Sequence, residues 1–70
     1  MNNEVKLRAV ISESQSKLLQ ERLKMGGIPT IYKEEQHGAT LVVEIRCTSV
    51  QDKAVRQILH DIGALLISPP

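Results

Sequence analysis

The chain has no Phe and no Trp, and Tyr32 is its single aromatic residue, so any core must be built from Leu, Ile, Val, Ala and Met. Such a core is thin for 70 residues, which favours sharing it with a second copy of the chain. One cysteine, Cys47, excludes an internal disulfide, and the lack of a Cys/His array argues against a structural zinc site. Charge of one sign is also missing. Nine Lys and Arg against eight Asp and Glu leave a net charge of +1, too small a field to draw in nucleic acid or an anionic membrane. No apolar run approaches the roughly 20 residues of a membrane span. The opening Met1-Asn2-Asn3-Glu4 lacks the basic and apolar regions of a secretory signal. A cytoplasmic protein with no membrane contact is expected, folded as one domain over residues 1–70.

What is present is periodicity. Val5, Leu7, Ala9 and Ile11 alternate with Lys6, Arg8 and Val10, the period of a half-buried strand. Ser12-Glu13-Ser14-Gln15 has the Ser-x-x-Gln form of a capping box and predicts a helix from about residue 13. Leu18, Leu19, Arg22 and Leu23 fall on one side of that helix, with Met25 closing it. Gly26-Gly27 ends the helix and Pro29 prevents its resumption. A second strand is expected from Ile28 to Glu35, with Ile28 and Tyr32 toward the core. Its charged end, Lys33-Glu34-Glu35, suits a sheet edge.

Gln36-His37-Gly38 reads as the turn of a hairpin into a third strand, where Leu41, Val43, Ile45 and Cys47 alternate with Thr40, Val42, Glu44 and Arg46. Thr48 or Ser49 is placed to cap a second helix, with Asp52 near its positive end and Val50, Ala54, Val55, Ile58, Leu59 and Ile62 as its apolar stripe. Gly63 ends it. A last strand, Ala64 to Ser68, is stopped by Pro69-Pro70. The order β-α-β-β-α-β with right-handed crossovers predicts an α+β, ferredoxin-like fold. Its four-stranded antiparallel sheet carries both helices on one face and has the first and third strands in the middle.

No catalytic constellation emerges. Cys47 continues the apolar face of its strand and reads as a small core hydrophobe rather than a nucleophile. His37, Cys47 and His60 have no recognised metal spacing, and Glu34 and Glu35 point to opposite faces of one strand. Gly26-Gly27 follows a helix instead of preceding one, so it aims no helix N-terminus at a phosphate. The sheet face away from the helices carries Lys6, Arg8, Val10, Val42, Glu44 and Arg46, without the aromatics that stack bases on this fold.

Several small modules have a similar pattern. Gly38-Ala39-Thr40-Leu41-Val42-Val43-Glu44-Ile45, followed by Ala54, Ile58-Leu59 and Gly63-Ala64, resembles the second half of bacterial general-stress-type modules and of NIL domains. Leu18-Leu19, Leu23 and Gly27-Ile28-Pro29 resemble PII-like domains, and ACT regulatory domains share the element order. These resemblances imply regulation or assembly, often as dimers, and for NIL and ACT domains amino-acid binding at a boundary. The chain departs from ACT domains at Ser12-Glu13-Ser14-Gln15-Ser16, which stands in place of their ligand-contacting Pro-Gly turn.

The expected function is a non-enzymatic regulatory or protein-interaction module, a homo-oligomer joined through its sheet face or an edge strand, with Val10, Val42, Glu44 and Arg46 at the interface. A small-molecule sensor is the alternative, its pocket near Ser12, Ser14, Gly26 and Gly27. Nucleic-acid binding through Lys6, Arg8 and Arg46 is a third class and is not expected. No cofactor or metal is assigned.

Overall fold

The computed structural model describes residues 4–68 and has the expected element order. β1 (Glu4–Ser12) leads into α1 (Glu13–Met25), then β2 (Ile31–His37), β3 (Thr40–Thr48), α2 (Asp52–Asp61) and β4 (Leu65–Ser68). The sheet runs β2-β3-β1-β4 and every pairing is antiparallel, the arrangement of a ferredoxin-like α+β fold.

The central ladder sets the rest. β1 and β3 pair over nine positions, from Glu4 opposite Thr48 to Ser12 opposite Thr40. That register puts Leu7, Ala9 and Ile11 beside Leu41, Val43, Ile45 and Cys47 on one face, all buried. Leu19 and Leu23 of α1, with Val55 and Leu59 of α2 and Ile62 just after it, close over that face to complete the core. Ile28, Tyr32, Ile58 and Ala64 pack around its rim.

The two halves of the chain repeat each other at a spacing of 36 residues. Ser12 and Gln15 correspond to Thr48 and Gln51. In each pair the glutamine Oε1 accepts the backbone N–H of the Ser or Thr, at 2.7 Å and 3.0 Å. Leu7, Ala9 and Ile11 correspond to Val43, Ile45 and Cys47, and Leu19 and Leu23 to Val55 and Leu59, buried in both halves. The helix ends match as well. Gly27 and Gly63 take positive φ of 62° and 81°, and the next residue returns its N–H to a leucine carbonyl, Ile28 to Leu23 (3.2 Å) and Ala64 to Leu59 (2.9 Å). These are Schellman stops, in which a left-handed residue lets the chain turn back and satisfy the last free carbonyls.

Gln15 does more than its counterpart. While its Oε1 holds Ser12, its Nε2 donates to the Ile62 carbonyl at 2.7 Å, tying the start of α1 to the end of α2. One side chain therefore joins the two halves.

The structure corrects several expectations. β2 begins at Ile31 rather than Ile28, because Ile28 is used in the Schellman stop and Thr30 N–H bonds back to the Ile28 carbonyl across Pro29 at 2.9 Å. The strand also runs on to His37, so the hairpin turn is the two residues Gly38-Ala39, not Gln36-His37-Gly38. Gly38 has φ 64° and no non-glycine residue among the described residues has positive φ, the pattern of a type II′ turn with glycine first. Met25 is 83% exposed because it follows buried Leu23 by two residues, about 200° around the helix, and so lies on the face away from the core. Arg22 is exposed too, and Leu18 lies at the margin. α2 starts at Asp52, two residues later than a helix capped at Ser49, so Val50 sits in the preceding turn and is 89% exposed. Thr48 caps that turn, and Ala54 lies on the solvent side of α2. The stop assigned to Pro69-Pro70 lies outside the described residues.

Replacing Gln15 by Ala removes a local bond and one to the end of α2, whereas Gln51→Ala removes only a local bond. Urea unfolding is expected to show a loss of about 1–2 kcal/mol for Q15A and about half that for Q51A. Equal losses would mean that the Gln15–Ile62 bond contributes nothing.

Candidate interaction surface

The alternation that buries one face of β1 and β3 presents Lys6, Arg8, Val10, Val42, Glu44 and Arg46 on the other, which neither helix covers. Cross-strand register orders them into rows. Glu35, Val42, Val10 and Leu65 form one row across β2, β3, β1 and β4, apolar at three of its four positions. Lys33, Glu44 and Arg8 form the next, alternating in sign. Lys6 opposite Arg46 begins a third, two cations side by side. Opposite charges facing across a ladder support it and like charges oppose it, and Arg46 is relieved by Glu44 of its own strand, Nε to Oε2 at 3.2 Å.

Val10, Val42, Glu44 and Arg46 are thus brought together on one surface, each half-buried by its neighbours. A shallow depression of about 50 Å³ lies among Arg8, Lys33, Glu35, Val42 and Glu44. Small-molecule pockets typically enclose roughly 300–1,000 Å³, so this one admits little more than water or the tip of a side chain. At its rim His37 Nε2 lies 2.8 Å from Glu35 Oε1, and that hydrogen bond holds the Glu35 carboxyl below its usual range.

The other candidate residues are not brought together. Ser12 and Ser14 stand at the start of α1 with their hydroxyls 3.0 Å apart, and Gly26 and Gly27 form its stop. A 13-residue helix separates them, about 20 Å at 1.5 Å per residue. Cys47 is buried at the end of β3, and burial pushes its thiol pKa up, with Asp52 acting in the same direction. Reactive thiolates need the opposite environment. Among the described residues, no group of three or more His, Cys, Asp or Glu is placed to hold a metal ion. No described helix is long and apolar enough to cross a membrane.

Sequence reasoning missed a polar cluster between α1 and β2. Ser16 is the one buried polar side chain among the described residues, and its hydroxyl donates to Glu34 Oε2. The Tyr32 hydroxyl donates to the same oxygen at 2.7 Å, and Gln20 Nε2 lies 3.4 Å from Ser16 Oγ. Glu34 and Glu35 do point to opposite faces, as alternation requires, and Glu34 turns toward α1. Hydrogen bonds from Ser16 and then Tyr32 lower the Glu34 pKa, and burial raises that of Tyr32. The cluster anchors α1 to an edge strand that contributes little apolar surface. The polar i, i+4 pair Ser16 and Gln20, beside Leu19 and Leu23, was its only trace in the sequence.

No family model, no curated protein and no solved structure matches this chain.

A lowered carboxyl pKa stabilises the fold above the ordinary carboxylate range, and that contribution is lost as pH falls through the depressed native value. Wild type should therefore lose stability on acidification partly through Glu34, and Glu34→Gln should flatten that part of the profile. At neutral pH E34Q is expected to cost at most about 1 kcal/mol, since the carboxylate is largely open to solvent. Parallel pH–stability curves for the two proteins would show that the cluster does not act through the carboxylate charge.

Proposed function

We propose that this chain is a non-enzymatic protein-interaction module that associates with a second copy of itself. The observation that carries the reading is the apolar row Val42–Val10–Leu65, which crosses three strands of a face that neither helix covers. Leu65 is 65% exposed there, and Leu66 and Ile67 of the same edge strand are 36% and 45% exposed. In a chain with no Phe or Trp to build its core, leaving these to water is costly unless something covers them.

The two sheet edges differ in the same sense. β2 carries Lys33, Glu34 and Glu35, charges that discourage pairing with another strand. β4 has no such guard, and no described strand pairs with its outer side. A contact on the open face therefore extends to the unguarded β4 edge. A regulatory role would follow if association controls a larger assembly.

The sensor reading has less support, since its four residues lie at opposite ends of α1 and the depression on the sheet is small. Nucleic-acid binding is disfavoured by Glu44 and Glu35, which interleave with the cations a phosphate backbone would need.

Sedimentation equilibrium from about 5 µM to 1 mM is expected to show reversible association, with dimer dominant at the upper end. A single monomeric mass over the whole range would refute the proposal.

A further inference from the structure

We infer that two copies of the chain pack sheet on sheet about a two-fold axis running along the strands between β1 and β3, with Arg8 of each copy against Glu44 of the other. This rests on the self-association reading and specifies its geometry. In an isologous interface, if residue i meets residue j then j meets i, so each contacting pair must be complementary as a pair. A two-fold along the strands preserves height in the sheet and exchanges β1 with β3. The residues that meet across the interface are then the pairs already in register within each chain.

The register decides whether such a contact is possible. On the open face it joins Ser12 to Thr40, Val10 to Val42, Arg8 to Glu44 and Lys6 to Arg46. Across the axis these become hydroxyl on hydroxyl, valine on valine, and two symmetry-related ion pairs. Among the β1–β3 pairs only Lys6 with Arg46 is unfavourable, and it lies at one end of the sheet, where long side chains turn into solvent and Arg46 is already held by Glu44. On the outer strands the same axis lays β2 over β4 and sets Glu35 against Leu65, a mismatch confined to the rim of the sheet. A two-fold perpendicular to the strands in the same plane keeps each strand over itself and reverses height, which sets Val42 against Glu44 and Val10 against Arg8. Charge complementarity selects the first axis.

The repeat points to the same surface. Core positions keep their character 36 residues on, but on the open face Val10 corresponds to Arg46, Lys6 to Val42 and Arg8 to Glu44. What the fold requires is duplicated, while the uncovered face is differentiated. One end is apolar, the other is cationic, and opposite charges meet between them.

Area sets the strength. Strands of 9, 7, 9 and 4 residues cover roughly 450 Å² per copy in projection, at about 4.8 Å between strands and 3.3 Å per residue. That is at the low end for specific interfaces, so the dimer is weak and exchanges freely.

Free exchange makes a mixing experiment decisive. R8E places like charges at both ion pairs of its own dimer, and so does E44R. In the mixture each R8E chain meets an E44R chain with opposite charges at both positions. Each variant alone is expected to associate at least roughly tenfold more weakly than wild type, with the equimolar mixture regaining wild-type affinity. The damage to the Arg8–Glu44 register pair within each chain is not repaired by mixing, so recovery reports contact between chains. Circular dichroism confirms that each variant is folded. V42K, beside Glu35 and Glu44 on the same face, provides a second probe and should also abolish association. If wild type associates but R8E, E44R and V42K associate equally well, or the mixture is no stronger than its components, the sheet-on-sheet two-fold is wrong and another surface, such as the β4 edge, carries the self-association. If wild type stays monomeric at every concentration, the reading beneath it fails as well.

Discussion

The antiparallel register of β1 against β3 is the constraint on which everything else in this molecule depends. Side chains alternate along both strands, so one register buries Leu7, Ala9, Ile11, Leu41, Val43, Ile45 and Cys47 together. A slip of one residue would send one strand's entire apolar set to the opposite face. The helices have somewhere to pack only because that set is continuous. The same register also fixes the rows of the uncovered face, so the core and the candidate contact surface are two sides of one arrangement.

Around that ladder the chain uses one local solution twice. A Ser or Thr with a Gln three residues later starts each helical segment, and a left-handed glycine followed by an apolar residue ends it. These devices satisfy free backbone groups at the helix ends, which matters in a domain with one cysteine and one aromatic side chain. Gln15 breaks the equivalence by reaching the end of the second helix. A sum of local caps is thereby turned into a connection between halves.

Much of this was legible in the residues. Strict alternation in β1 and β3, the capping box at Ser12 and the glycines at 27 and 63 each encode a local conformation, and the ordered elements then leave few topologies. The errors arose where apolar character stood for burial. Met25 lies on the solvent side of α1, two residues around from Leu23, and Val50 lies in the turn before α2 begins. Ile28 is partly buried, but through a helix stop rather than a strand. The Ser16–Tyr32–Glu34 cluster was not legible, because it joins residues 16 and 18 positions apart whose contact depends on how α1 lies over β2. Of the proposed site residues, those sharing strand alternation converged. Ser12, Ser14, Gly26 and Gly27 did not, because helix length rather than sequence pattern separates them.

The proposed self-association uses the face the helices leave open, where the β1–β3 register would supply the contacts between copies. Isotope-filtered NOE spectroscopy tests that directly on a sample mixing ¹³C-labelled and unlabelled chains at a concentration where the protein is dimeric. Such spectra record only contacts between copies, although Val10 and Val42 are also neighbours within each chain. The account predicts cross-peaks between Val10 methyls of one copy and Val42 methyls of the other. Intermolecular cross-peaks confined to Leu66 and Ile67, or to residues of the two helices, would contradict it.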